Sequence, residues 1–191
     1  MFKTLVNAWK IKDIRTKMLF TLLLIVIYRF GSFIPVPGVN SGVMASLIQQ
    51  YDALGFLSML SGSALSQFSI FAMGISPYIT GSIIIQLLTI AIPSLGRMAQ
   101  EGGEEGKKKI QSITRYATVA IAIIQGVGYF FLMKNYGILT STSVWAALVI
   151  IVSFIAGSSF VMWMGEQITE FGIGNGISII LFASIIARFP S

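Results

Sequence analysis

The sequence predicts an all-α integral membrane protein, and three observations carry that reading. Hydrophobic residues fill 55% of the 191 positions, and charged ones only 10%, where a soluble domain carries about 25%. Mean hydropathy is +0.84. The charges are bunched between long uncharged runs, as expected of spanning helices joined by polar connections.

Four apolar runs cover 18–34, 68–92, 116–133 and 144–164, each near the ~20 residues that a spanning helix needs. A fifth, 177–187, is short and spans only if its flanks lie in the interfaces, so the fifth span is set at 172–189. Between the first two lies LGFLSMLSGSALSQ (54–67), too short and too rich in Ser and Gly to cross. Asp52 could cap its start. The pattern leaves two readings open. One is an amphipathic helix on the surface, and the other a half-helix that enters the membrane region and returns, with its backbone sheltered by protein or a watery cavity.

Lys and Arg set the orientation. With the N-terminus inside, the cytoplasmic segments 1–17, 93–115 and 165–176 hold Lys3, Lys10, Lys12, Arg15, Lys17, Arg97, Lys107, Lys108, Lys109 and Arg115. The outer side holds Lys134 and Arg188, with Arg29 near the outer end of the first span. This asymmetry places the N-terminus in the cytoplasm and Ser191 outside. The first span leads into IPVPG rather than a small-residue cleavage site, so it is expected to stay in the protein. The net charge of +6 then serves topology, since no aromatic platforms interleave the basic residues to suit nucleic acid.

Catalytic chemistry finds few residues to use. The chain has no His and no Cys, which removes the usual general base and the commonest metal ligands. No G-x-S-x-G elbow is present. Asp13, Asp52, Glu101, Glu104, Glu105, Glu166 and Glu170 all fall in expected loops or interfaces, away from the membrane depth where ion-coupled transporters keep an ionisable group. Arg29 is the one charge inside an expected span, close enough to its end to snorkel. No catalytic residue, metal site or cofactor is therefore expected. GIGNG (172–176) follows no strand and reads as the turn into the fifth span, and EGGEEGKKK (101–109) as a solvated connector suited to docking.

What remains is GISPYITGSIIIQLL at 74–88. Pro77 removes a backbone donor, so a helix running from 68 should bend there. Ile75 and Ile79 share one helix face, as do Ile177 and Leu181. Aliphatic residues facing a pore make a constriction that blocks ions by dewetting. The same spacing also suits a face turned to lipid or a neighbouring helix, and the pattern does not choose.

Three stretches, FAMGISPYITGSIIIQLL (71–88), GEQITEFGIGNGISII (165–180) and FIPVPG (33–38), together resemble the SecY family of protein-translocation channels. The resemblance runs the length of the chain and corresponds to the family's N-terminal half. It implies five transmembrane helices plus a short re-entrant plug, one half of a ten-helix inverted-repeat clamshell. It makes 54–67 the plug, with Leu54, Phe56, Leu57, Met59, Leu60, Ser63 and Leu65 on it. It assigns Ile75, Ile79, Ile177 and Leu181 to this half's share of the pore ring, although Leu181 stands where the family often has Ile.

The second and third spans would form one wall of a lateral gate, with Thr80, Gln86 and Gln125 as polar residues across it. Gly81 stands where Ala or Ser is usual, which implies a locally looser helix. The function implied is passage of unfolded secretory polypeptides across the bacterial plasma membrane, and lateral release of membrane segments into it. Its partners would be the SecE and SecG subunits, the SecA motor or a ribosome, signal-sequence-bearing polypeptides, lipid and the C-terminal half. The alternatives are half of an inverted-repeat small-solute transporter, or a non-conducting membrane scaffold.

Overall fold

The computed structural model describes residues 11–40, 56, 58, 64–140 and 143–187, with only the backbone of Glu101. Helices α1 (Lys12–Gly31), α2 (Ser76–Ala91), α3 (Pro93–Glu101), α4 (Gly103–Asn135), α5 (Val144–Phe171) and α6 (Gly176–Ile186) follow one another with no extended strand among the described residues. α4 and α5 are each long and apolar enough to cross a membrane. At 33 and 28 residues they extend about 50 and 42 Å, beyond the ~30 Å hydrocarbon core. α1 is 20 residues long but carries Lys12, Asp13, Arg15, Lys17 and Arg29, while α6 is an apolar helix of 11 residues.

Along α4, mostly small residues turn inward and large apolar ones outward. α4 buries Gly106, Thr114, Thr118, Ala122 and Gly126, spaced in multiples of four, and exposes Tyr116, Ile123, Ile124 and Phe131. In lipid, apolar side chains gain little by leaving the solvent, so helices associate where small residues let backbones approach. The hydroxyls of Thr114, Thr118 and Ser184 donate to the carbonyl one turn back in their own helices, so their burial leaves no donor unmet.

The second apolar run does not fold as one helix. From Ala64 to Ile75 the chain makes consecutive turns, with Phe68 at φ +46° and Gly74 at φ +52°, and α2 begins only at Ser76. Pro77 therefore stands in the first helical turn, where its missing N–H has no intrahelical partner to lose, and the bend expected there is absent. The chain bends instead by 105° between α2 and α3. Ile92, the residue at that break, has the extended backbone (φ −107°, ψ 107°) that a following proline favours.

Backbone pairing ties three distant segments together. Val36 N–H donates to Phe68 C=O (2.8 Å) and Ile70 N–H to Ile34 C=O (3.0 Å). Asn40 N–H donates to Ile138 C=O (3.0 Å) and Thr140 N–H to Gly38 C=O (3.1 Å). Val36 is thereby buried in a cluster with Leu65, Phe68, Met133, Ile138, Ile150 and Phe154. A second cluster gathers Leu24 and Tyr28 of α1, Phe71, and Val161, Met164 and Ile168 of α5 around Ile180 of α6.

Candidate functional site

The candidate ring residues all lie in or against the second cluster. Ile75 is the N-cap of α2, and its carbonyl accepts from Ile79 N–H at 3.1 Å, which fixes the two side chains one turn apart. On α6 the turn is set by Gly174 (φ +69°), a conformation that L side chains rarely adopt. Asn175 Oδ1 then caps the helix by accepting from Ile177 N–H and Ser178 N–H at 3.1 and 3.2 Å. Ile75 is buried within the cluster, and half-buried Ile79, Ile177 and Leu181 pack against it. Two segments, remote in sequence, thus contribute four aliphatic side chains to one cluster.

Beside Ile177 opens a cavity of about 700 Å³ whose lining is otherwise polar. α2 contributes Tyr78, Ser82 and Gln86, α4 contributes Lys108, Gln111, Ser112 and Arg115, and α5 contributes Glu166, Thr169 and Glu170. Asn175 and Ser178 close it at the start of α6. The arrangement places a polar cavity against Ile177, at the edge of the apolar cluster.

Of the residues expected to hold a gate, Thr80 and Gln86 are exposed and Gln125 is half-buried. The close approach between α2 and α4 is made instead by Gly81, where an added Cβ would lie 2.9 Å from Thr118 Oγ1. The expectation of a looser helix at Gly81 is thereby replaced by tight helix contact. Of the plug residues, Leu54, Leu57, Met59, Leu60 and Ser63 lie outside the described residues. Phe56 is exposed, whereas Leu65 is 1% exposed and belongs to the first cluster with Val36 and Phe68. The C-terminal part of the 54–67 segment is thus packed into the interior at Ala64 and Leu65.

The sequence reading missed a polar cluster. Glu166, expected in a loop or interface, lies inside α5 at 8% exposure and pairs with Arg115 of α4, Nε to Oε1 at 2.9 Å. Gln111 Nε2 donates to the same oxygen at 3.2 Å. The available signal was Gln111 and Arg115 one helical turn apart, with Glu166 as the first acid after an apolar run.

A family model for SecY matches residues 69–191. The chain belongs to the SecY family. It is 46% identical, over its whole length, to protein translocase subunit SecY of Halalkalibacterium halodurans, of which it covers 45%. The corresponding subunit of Bacillus licheniformis is also 46% identical and 44% covered, and that of Staphylococcus aureus (strain NCTC 8325 / PS 47) is 43% identical and 45% covered. The chain therefore spans less than half the length of these SecY relatives and corresponds to their N-terminal half. Among solved structures it is similar to Sec61 in the canine ribosome-channel complex from the endoplasmic reticulum, with a TM-score of 0.63 at 19% identity. That match covers 90% of this chain and 36% of the other. A structure described as a protein conducting channel matches with the same TM-score, identity and coverage. The SecY relationship makes this a multi-pass membrane protein.

Proposed function

We propose that the chain forms one half of a protein-conducting channel, which passes unfolded secretory polypeptides across the bacterial plasma membrane and releases membrane segments laterally into it. The observation that carries this reading is that Ile75, Ile79, Ile177 and Leu181 all pack in or against one apolar cluster, with Ile177 also lining a polar cavity. A conduit for unfolded chains must let every type of side chain pass. Specific polar coordination would hold some of them, whereas flexible aliphatic side chains exclude water and grip nothing. The other ring members come from the C-terminal half in this reading.

The protein is a channel subunit and no enzyme in this proposal, so an external motor, SecA or a translating ribosome, drives transport. SecE and SecG are its membrane partners. The 54–67 segment closes the channel from outside, α2 and α4 form one wall of the lateral gate, and the N-terminus is cytoplasmic. The test is translocation of a signal-bearing substrate into sealed vesicles. The chain alone is expected to be inactive, and the chain with SecE and a separately expressed C-terminal half to be active. Transport by the chain alone would overturn the half-channel reading, and solute flux without polypeptide transport would favour a transporter.

A further inference from the structure

The turn of α5 from Gly165 to Thr169 is held from two sides. On one side, Glu166 Oε1 accepts from Arg115 Nε and Gln111 Nε2, which stand one turn apart on the same face of α4. The carboxylate thus fastens α5 to two successive levels of α4. On the other side, Thr169 Oγ1 donates to Gly165 C=O and accepts from Gly176 N–H, both at 2.9 Å. A Cβ on Gly176 would collide with the Gly165 carbonyl, and one on Gly165 would lie 3.2 Å from Ile177 Cγ1. Backbone is therefore packed on backbone where α6 begins, and the next residue of α6 is Ile177. Movement of this turn of α5 must carry the first turn of α6 with it.

We infer that Glu166 and Arg115 are positioning residues for the constriction: their ion pair sets where Ile177 stands relative to Ile75 and Ile79. The inference rests on the constriction reading proposed above. Removing Arg115 leaves a buried carboxylate without its ion partner, and removing Glu166 leaves Arg115 and Gln111 without the acceptor that fastens α5 to α4; either change frees this turn of α5 to move. That movement displaces Ile177 from the ring. An ion pair with only a stabilising role would change unfolding and leave the position of Ile177 unaltered.

The experiment uses the complete channel with its partner subunits, freed of any cysteine outside this chain and reconstituted in lipid. Spin labels are placed at S76C and S178C, two exposed positions adjacent to Ile75 and Ile177, and the chain supplies no competing native cysteine. Label distance and resting ion conductance are measured for E166A, E166Q and the exchange R115E/E166R. E166A is expected to shift the distance distribution and raise conductance severalfold, E166Q to do so less, and the exchange to restore both. An unchanged label distance in E166A overturns the inference. A shifted distance with unchanged conductance upholds the positioning role and instead refutes the constriction reading. If E166A fails to assemble, E166Q and the exchange carry the same measurements.

Discussion

Tyr28 of α1 and Ser184 of α6, 156 positions apart, meet hydroxyl to hydroxyl at 2.8 Å in the buried interior. Ser184 Oγ also donates to Ile180 C=O, so its single proton is committed and Tyr28 is the donor between them. The Tyr28 ring stacks on Phe71 with centroids 5.7 Å apart and planes 3° from parallel. One side chain thus joins α1, the turns before α2, and α6. Tyr28→Phe keeps the stack and loses the hydrogen bond, with an expected cost of about 1 kcal/mol. Tyr28→Ala removes the ring as well and should cost about 3–5 kcal/mol. Thermal unfolding of the assembled channel in detergent checks the order; equal losses would mean that the stack contributes nothing.

Asn at the two α2 ring positions should have different effects. Ile75 is 7% exposed within the second cluster, so Ile75→Asn places an amide in packed apolar surroundings and destabilises by about 1–3 kcal/mol. Ile79 is half-buried at the edge of that cluster, so Ile79→Asn should fold and raise resting ion conductance. Ile83→Leu, at a site 50% exposed on α2, should be silent. Planar-bilayer conductance alongside unfolding decides. Destabilisation at 79 without leak would assign Ile79 to packing alone.

Gly81→Ala forces a methyl to within 2.9 Å of the Thr118 hydroxyl, whose proton is already committed to Thr114 C=O. The expected cost is about 1–3 kcal/mol from overpacking. Adding Thr118→Ser retains the clash with the hydroxyl, whereas Thr118→Ala relieves it, and a double-mutant cycle measures the difference. If Ala and Ser at 118 rescue equally, the hydroxyl is not what limits the approach of α2 to α4.

Deleting residues 54–63 from the complete channel should leave polypeptide translocation working and raise its resting ion leak. The deletion stops short of Ala64 and Leu65, which are buried in the two clusters. Extending it through Gln67 should instead lower the yield of folded channel. Identical conductance with and without 54–63 would favour a helix lying on the membrane surface.

Single cysteines at Ser112 and Glu170 should react with an impermeant maleimide only from the cytoplasmic side, and one at Thr140 only from outside. All three positions are exposed, so protection reports the side of the membrane rather than burial. Labelling of Ser112 from outside would invert the orientation inferred from Lys and Arg.

Membrane character and helical class were legible because hydropathy and charge clustering are summed over many residues. The GIGNG turn was legible too, since alternating glycines with an Asn before the next apolar run supply both a positive φ and a cap. The start of α2 was not. A run apolar throughout does not reveal whether its backbone is helical, and Phe68 and Gly74 leave the helical region inside such a run. Pro77 is compatible with a kink or with a first turn, and the turn from Phe71 to Gly74 decides between them. The burial of Glu166 was not legible because its ion partner, Arg115, lies 51 residues away on another helix. At the ring, i, i+4 spacing identified one face of each helix, but only packing shows that those two faces share a cluster.

The pairing of 34–40 with two later segments also imposes a timetable on synthesis. Val36 and Ile34 find their partners at Phe68 and Ile70, but Asn40 and Gly38 must wait for Ile138 and Thr140, made roughly a hundred residues later. At ~5–20 residues per second, that wait is roughly 5–20 s. For this interval α1 is already available while the N–H of Asn40 and the carbonyl of Gly38 lack their final partners. Water satisfies them at the membrane surface, whereas hydrocarbon cannot. The first helix must therefore hold its trailing loop at the aqueous boundary until α4 has been translated, and any pause between these codons prolongs that exposure.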